Sequence, residues 1–243
     1  MTKARLPETD LARIAPLPTE EKWKQLRKMR AGFPNISYSP TRKHILDTLN
    51  AQRTLPMELT DSSRDQVLAA VRKACRPPEV ESNEEVSGLL YDWVREGGYT
   101  VMEHDFGRLT LAAGYSVRYW ANAILRQGER LLALNTDFRR ATAGYSPAGQ
   151  HFAFSAMAQG IREQGADFSD IHLAMLRFPQ PKHGPRSVKL IALSPEAVLF
   201  SYDELVSMTE ETLTIWELVC AENTAEARRR AANDDLPLFG RWA

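Results

Sequence analysis

One short stretch groups side chains that could bind a phosphate. It reads NTDFRR, residues 135–140, and it follows an apolar run that predicts a buried central strand. Strand ends, and the loops after them, are where sheets commonly place their binding sites. Arg139 and Arg140 could hold a phosphate while Asp137 orients one of the guanidinium groups. The alternative is an ion pair that closes the edge of the sheet, with a charged residue of the following helix as partner.

The chain carries none of the common catalytic or cofactor-binding signatures. It has no GxxxxGK(S/T) phosphate loop, no GxGxxG after a strand, no HExxH and no GxSxG. Its five histidines lack the spacing of metal ligands. The two cysteines, Cys75 and Cys220, are far apart and outside any CxxC, which favours two reduced thiols. The sequence therefore predicts no cofactor, and it leaves open whether the protein is an enzyme.

The first 56 residues form a basic, proline-rich segment. They hold six of the fourteen prolines, and eleven Lys and Arg against five Asp and Glu. A basic arm on an acidic body can contact nucleic acid, with Trp23 as a stacking residue. The alternative is that the arm packs on the body and its charges pair internally. The residues predicted to neutralise nucleic-acid phosphates are Lys22, Lys24, Arg27, Lys28 and Arg30 of one helix, and Arg139 and Arg140.

Hydrophobic periodicity predicts helices before and after a group of strands. The helices are expected at 19–30, 40–50, 62–75, 82–98, 146–165 and 201–221, with a separate polar helix at 223–232. Three of these starts carry capping signals, namely Ser82 with Glu85, Ser146 before Pro147, and Ser201 with Glu204.

Two hairpins and two further strands are predicted in the middle of the chain. One hairpin has its turn near Gly107, and the clearer one joins two apolar strands around Gly128. The further strands lie at 170–178 and 186–194. This order predicts an α+β fold, in which a central, mostly antiparallel sheet carries helices on its faces and follows a helical N-terminal arm.

Composition and element order together predict the organisation of the chain. A hydrophobic fraction of 43% in 243 residues is enough for one substantial core. We expect a basic helical arm at 1–56, an α+β core domain at 57–222, and a polar helix with an apolar tail at 223–243. No apolar run approaches the roughly 18 residues of a membrane span, and the start lacks a secretory signal. The expected location is therefore the cytoplasm, without a membrane contact.

The order of elements over residues 82–178 resembles the core of the PD-(D/E)XK nucleases. In that family, carboxylates on two strands hold Mg²⁺, which activates water. Asn122 stands where the first Asp belongs, and NTD (135–137) stands where Asp/Glu-x-Lys belongs. The resemblance implies a nuclease-like fold that has lost its metal site. One alternative is an unrelated α+β pattern; the other is an active nuclease whose acids have moved to Glu85, Asp105 and Asp137.

The chain ends in an apolar tail, DDLPLFG at 234–240, which resembles a sliding-clamp-binding motif. Many bacterial DNA-repair and replication proteins hold the clamp through such motifs, which place a Gln ahead of a Leu and end in Leu-Phe or Leu-Trp. Leu236, Leu238 and Phe239 match the apolar part. An acid or Asn stands near the place of the Gln, which implies weaker binding. The alternative is a tail that docks on its own core or on another copy of the chain.

These observations lead to one hypothesis and two alternatives. The leading hypothesis is a non-catalytic accessory protein of DNA transactions, which binds nucleic acid through its arm and a partner, such as the sliding clamp, through its tail. The first alternative is a metal-dependent nuclease with a displaced acidic site. The second is an obligate subunit of a multiprotein complex, with arm and tail both buried in partners.

Overall fold

The computed structural model describes residues 5–29, 37–52, 62–139, 144–181 and 184–234. Within these ranges the helices are α1 Glu8–Ile14, α2 Thr19–Lys28, α3 Ser39–Lys43, α4 Ile45–Thr48, α5 Arg64–Ala74, α6 Val80–Glu96, α7 Pro147–Ile161 and α8 Tyr202–Asp234. The strands are β1 Thr100–Glu103, β2 Leu109–Ala112, β3 Tyr115–Val117, β4 Ala123–Gln127, β5 Arg130–Asp137, β6 His172–Arg177 and β7 Lys189–Ala192. None of the helices in the described ranges has the length and apolar character needed to cross a bilayer.

Five strands form one sheet in the order β1-β4-β5-β6-β7, while β2 and β3 form a separate two-stranded sheet. Within the larger sheet every neighbouring pair is antiparallel except β5 and β6. Those two strands run parallel because α7 carries the chain back between them. The predicted α+β class, with a mostly antiparallel sheet and a helical N-terminal segment, is confirmed.

Consecutive side chains of a strand point to opposite sides of the sheet, and helices cover both of those sides here. On one face, Ala133 and Leu173 share a core cluster with Phe152 of α7. On the other face, Leu134 shares a second cluster with Leu90 of α6. Burial on both sides explains why β5 is a near-continuous apolar run rather than an alternating one. The end of β5 is consequently held between two layers of helices.

The hairpin predicted around Gly128 is confirmed, and the one predicted around Gly107 is wrong. Gln127 pairs with Arg130 across Gly128, whose φ of 61° lies in the left-handed region that favours glycine. β1 instead pairs with β4, and β2 pairs with β3. The chain leaves the sheet between β1 and β2 because Phe106 turns into the core, where it is 2% exposed.

The predicted starts of α7 and α8 are confirmed. The Ser146 hydroxyl accepts a hydrogen bond from the backbone N–H of Gly149 at 3.1 Å, which caps α7. Ser201 and Glu204 form the reciprocal capping box of α8, with bonds of 2.8 and 3.3 Å.

The start of α6 differs from the capping box predicted at Ser82 and Glu85. The helix begins at Val80, directly after a 3-10 turn at Pro77–Glu79 whose prolines suit a helix start. Ser82 therefore lies inside the helix and is buried. Its neighbour Asn83 is buried too, and bonds to the backbone of α3.

The helix α8 is continuous over 33 residues, so the prediction of two separate helices was wrong. Its sequence contains neither Gly nor Pro, and its polar end is rich in Ala, Glu and Arg, which are strong helix formers. The boundary expected between residues 222 and 223 lies within this helix. Its N-terminal part is anchored by Leu205 and Ile215, both buried in the main core.

The N-terminal helices belong to the same core as the sheet. Leu6, Leu11 and Leu26 are each 0% exposed and join the cluster that includes α7 and α8. Burial of such side chains supplies roughly 1.5–3 kcal/mol each relative to exposure, which fixes α1 and α2 on the body. The residues before α3 can therefore help to shape a site at the end of β5.

A buried carboxylate predicts a sensitivity of the fold to acid. Glu79 is 2% exposed and accepts hydrogen bonds from the Arg76 guanidinium and from the backbone N–H of Ser37. The Arg76 bond, partly opposed by desolvation, lowers the pKa of Glu79 from 4.5 to about 2. Because the folded pKa lies below the unfolded one, this carboxylate stabilises the fold above pH 4.5, and the stabilisation is lost as the pH falls toward 2.

We therefore expect Glu79→Gln to flatten the dependence of the unfolding free energy on pH between 4.5 and 2. Urea unfolding of both proteins across this window measures the effect. Equal slopes for the variant and the wild type would show that Glu79 does not carry the acid sensitivity.

Candidate functional site

A cleft of about 610 Å³ lies beside the end of β5. Residues from distant parts of the chain meet there, because the N-terminal segment and α3 pack against the strand. We name it the β5 cleft, lined by residues 5–9, 42–43, 45–46, 108, 118–122, 135–136 and 145. It occupies the position, at the exit of a central strand, where the sequence predicts a site.

Glu8 organises one side of the β5 cleft. Its carboxylate binds the Arg108 guanidinium and lies 3.5 Å from that of Arg5. It also accepts the backbone N–H of Arg118 at 3.2 Å. The carbonyl oxygen of Ser116 accepts a bond from each of the two guanidinium groups, at 2.7 and 2.8 Å. One acid therefore holds two arginine side chains in place at the rim of the cleft.

Arg118 is held at three points on the same side. Its guanidinium donates to Asn122 Oδ1 at 2.7 Å and to the carbonyl of Gly107 at 3.0 Å, and it pairs with Asp105 at 3.3 Å. Two residues considered for a metal site, Asp105 and Asn122, thus bind an arginine instead. In this structure both side chains serve to hold the Arg118 guanidinium.

Asp137 binds two backbone N–H groups and one arginine, and it is 1% exposed. It accepts the backbone N–H of Tyr145 at 2.9 Å and that of Arg139 at 3.3 Å. Its charged neighbour is Arg177 on the adjacent strand β6, at 3.9 Å. This matches the sheet-closing alternative, although the partner lies on the neighbouring strand and not on the following helix.

Of the two arginines that follow Asp137, the structure describes one. Arg139 pairs with Asp10 of α1 at 3.0 Å and donates to the Thr9 hydroxyl at 2.5 Å, so it ties the exit of β5 to α1. Arg140 lies outside the described residues. A phosphate contact by this pair stays a prediction.

The acids expected for a displaced nuclease site bind three different arginines. Glu85 of α6 pairs with Arg186 at 3.3 Å, while Asp105 and Asp137 pair with the partners given above. Within the described ranges, no three His, Cys, Asp or Glu side chains are placed to hold a metal ion together. In this part of the chain the three acids therefore do not form the predicted metal site, because each one neutralises a structural cation.

The phenols around the β5 cleft are strongly desolvated. Burial raises the pKa of Tyr115 to about 12, and it also raises the pKa of Tyr119 and of Tyr145. Tyr115 donates to the carbonyl of Leu6 at 2.7 Å, and Tyr119 donates to that of Glu8 at 2.8 Å. These groups stay protonated near neutral pH and serve as hydrogen-bond donors, so none is suited to act as a base.

The basic residues of α2 face acids within the protein. The ion pairs are Lys22 with Glu211, Arg27 with Glu222, and Lys24 with Glu21. Lys22 is 1% exposed, so its ammonium is not accessible to a phosphate in this structure. Trp23 packs against the core, with the Arg27 guanidinium 4.8 Å from its ring centroid. Lys28 is exposed, and Arg30 lies outside the described residues. Internal pairing, the alternative to nucleic-acid binding, thus accounts for three of the predicted cations.

The apolar tail lies outside the described residues, which end at 234. Leu236, Leu238 and Phe239 therefore receive no structural account, and their role as a clamp-binding segment stays a prediction.

Sequence reasoning missed the residues that shape the β5 cleft. Glu8, Arg42 and Arg118 come from three distant segments, and no local pattern marks them as neighbours. The available signal was Asn135 at the end of an apolar strand, which the NTDFRR segment did indicate. Its neighbours became visible only with the packing of α1 and α3.

Comparison with known proteins gives two matches. A family model described as "Sliding clamp-binding bacterial toxin SocB" matches residues 9–226. The DNA replication inhibitor toxin SocB of Caulobacter vibrioides (strain NA1000 / CB15N) is 37% identical over 229 residues, which cover 94% of this chain and 95% of the relative. No solved structure matches. The family match spans the sheet, most of α8 and the lining of the β5 cleft except residues 5–8.

Proposed function

We propose that this chain, which belongs to the SocB family of sliding clamp-binding bacterial toxins, binds a bacterial sliding clamp and acts through that contact. The observation that carries the proposal is the family match over residues 9–226, which is nearly the whole described structure. The three acids considered for a nuclease each pair with a different arginine, which also favours a binding protein over a metal-dependent nuclease. Clamp binding would place the protein in the cytoplasm, beside replicating DNA.

Occupation of the clamp explains how such a protein could act without catalysis. Replication and repair proteins hold the clamp through short apolar motifs, so a protein that fills the same pocket excludes them. The C. vibrioides relative is described as a DNA replication inhibitor toxin, which is consistent with competition of this kind. Direct DNA binding is not required, and Lys22 and Arg27 are already paired with acids.

The C-terminal tail is one candidate for the clamp-binding segment. An extended segment with two or three apolar side chains can fill a preformed pocket, and a proline lowers the entropy lost on ordering. Leu236, Leu238 and Phe239 supply those side chains, and Pro237 supplies the restraint. The tail lacks the Gln of the motif, and it lies beyond residue 226, where the family match ends.

A second segment, QRTLPM at 52–57, meets both of those objections. It places a Gln ahead of a Leu, and it lies inside the family match. Gln52 is the last described residue before a gap at 53–61, and its side chain is exposed. Its backbone pairs with Met102 at the edge of β1, so the segment starts from a fixed point on the surface. These observations favour 52–57 as the main contact and the tail as an additional one.

We expect loss of the main binding segment to weaken clamp affinity by about thirtyfold, the equivalent of ~2 kcal/mol at a hot spot. The variants are Gln52→Ala with Leu55→Ala for the internal segment, and Leu238→Ala with Phe239→Ala for the tail. Leu218→Ala is a matched control, since Leu218 is an apolar side chain of α8 that is 50% exposed. Affinity for an immobilised bacterial clamp is the measurement.

The measured affinities show which segment contacts the clamp. A loss in one double variant identifies its segment, and losses in both show two contacts. If both double variants bind like the Leu218→Ala control, short-segment binding is wrong. If the wild-type chain does not bind the clamp, the proposed function is wrong.

A further inference from the structure

The β5 cleft concentrates positive charge. Five basic residues line it, and Glu8 is the one acid among its lining residues. The basic residues are Arg5, Arg42, Lys43, Arg108 and Arg118. Glu8 already serves two of these guanidinium groups, and Asp105 serves a third. Within the part of the chain that the structure describes, the lining of the cleft therefore keeps a net positive charge.

Arg42 shows the excess of positive charge in the β5 cleft most clearly. Among the described residues it has no salt bridge, and its guanidinium lies 5.6 Å from the ring centroid of Phe138. Desolvation lowers the pKa of Arg42, and the nearby charge of Arg139 also lowers it. Tyr145, Glu8 and Asp137 act in the opposite direction. Its side chain nevertheless remains exposed toward the cleft. An anion between these cations would relieve their mutual repulsion and would compensate the desolvated Arg42 guanidinium.

Two residues that line the cleft also carry neutral donors without a hydrogen-bond partner in the described ranges. The Asn135 amide nitrogen is buried and lies near the Tyr145 hydroxyl, but makes no hydrogen bond of ordinary geometry. The Trp120 indole nitrogen is buried and has no partner either. Asn135 is 3% exposed and Trp120 is 5% exposed. Buried donors without acceptors are uncommon in folded proteins, and their presence in the wall of the cleft is consistent with a ligand that brings acceptor oxygens.

We propose that the β5 cleft binds a small molecule bearing phosphate groups. Phosphate oxygens accept several hydrogen bonds at once and match the planar donor sets of arginine. The volume of about 610 Å³ is typical of sites for small ligands and would hold a molecule the size of a nucleotide. The position beside the end of a central strand is also a common one for ligands in sheet proteins. None of the residues that line this cleft belongs to the segments proposed for the clamp.

The shape of the site favours a small molecule over a DNA backbone. The cations line a recess between α1, α3 and the end of β5, whereas duplex DNA presents its phosphates along an extended line. Arg118 is fixed on one side of the recess by Asn122 and Asp105, so it is positioned before a ligand arrives. Such preorganisation reduces the entropy lost when a compact anion binds.

Calorimetric titration of the full chain tests the proposal. The probes are inorganic pyrophosphate, ATP without added metal, adenosine and a short DNA duplex. We expect pyrophosphate or ATP to bind, adenosine not to bind, and Arg42→Gln to weaken binding by about tenfold, the usual order for loss of one charge-assisted contact. Arg130→Gln is the matched control, because it removes the same charge from the exposed start of β5, at the opposite end of the strand from Asn135.

The controls separate a site from general charge attraction. If ATP binds more tightly than pyrophosphate, the nucleoside also contacts the cleft. If the two bind equally, the cleft recognises the phosphate groups alone. The proposal is overturned if neither phosphate probe binds, if only the DNA duplex binds, or if Arg42→Gln and Arg130→Gln weaken binding equally. Thermal unfolding with each probe checks that Arg42→Gln remains folded.

Discussion

Glu211→Ala is expected to destabilise the protein by about 2–4 kcal/mol, because it leaves the Lys22 ammonium buried without its partner. Lys22 is 1% exposed, and its carboxylate partner on α8 is the group that compensates its burial. A fully buried pair costs about 3–5 kcal/mol when one partner is removed. We expect less here, since the Glu211 side chain is 41% exposed and water can enter after the substitution. The Lys22 bond also lowers the pKa of Glu211, so the effect should shrink as the pH falls below 4.5.

Glu222→Ala is the matched control for this prediction. This substitution breaks the ion pair between Arg27 and Glu222, which joins the same two helices, α2 and α8. Both side chains of that pair are more than half exposed. Exposed pairs contribute little to stability, so this variant should unfold at nearly the wild-type urea concentration. Equal destabilisation by the two variants would show that contact between the helices matters, and not the burial of Lys22.

Arg186→Met should cost about 3–5 kcal/mol, since it removes the donor for several buried acceptors at once. The Arg186 side chain is 0% exposed. It donates to the carbonyls of Phe138 and Phe178, which follow the neighbouring strands β5 and β6, and it pairs with Glu85 of α6. Methionine fills much of the volume but leaves those acceptors unsatisfied. Urea unfolding gives the free energy.

Glu85→Gln provides the comparison for Arg186→Met. The Glu85 side chain is 34% exposed, and an amide can still accept from the guanidinium. We therefore expect Glu85→Gln to lose far less stability than Arg186→Met. A similar loss in both would mean that the ion pair, and not the two backbone carbonyls, holds this part of the sheet.

The parts of the fold that follow local rules were predictable from the sequence. The Ser146 cap, the Ser201 and Glu204 capping box, and the turn at Gly128 each depend on residues close in the chain. The burial of β5 on both faces was visible as an uninterrupted apolar run. The α+β class followed from the order of these elements.

The errors arose where tertiary packing overrode the local pattern. Phe106 enters the core, and this breaks the hairpin that the sequence around Gly107 suggests. The paired prolines before Val80 start α6 ahead of the expected cap at Ser82. The charge pattern of α2 fits both a nucleic-acid contact and internal pairing, and the described structure pairs Lys22 and Arg27 with acids of α8. A nucleic-acid contact by this helix stays a prediction.

The candidate sites also differ in how far the sequence could predict them. The clamp-binding resemblance of the tail pointed toward the family that the comparisons found, although the tail itself lies beyond the matched residues. The acids that suggested a nuclease proved to neutralise arginines. The β5 cleft could not be predicted, because Glu8, Arg42 and Arg118 meet only after α1 and α3 have packed.

Competition at the clamp tests the central claim most directly. The full chain should bind a purified bacterial sliding clamp saturably, and a peptide carrying the Gln-to-Leu-Phe clamp motif should displace it completely. Displacement is expected because both ligands would fill the same apolar pocket. Failure of the chain to bind the clamp, or binding that the peptide leaves unchanged, would contradict the proposal that it acts by occupying that pocket.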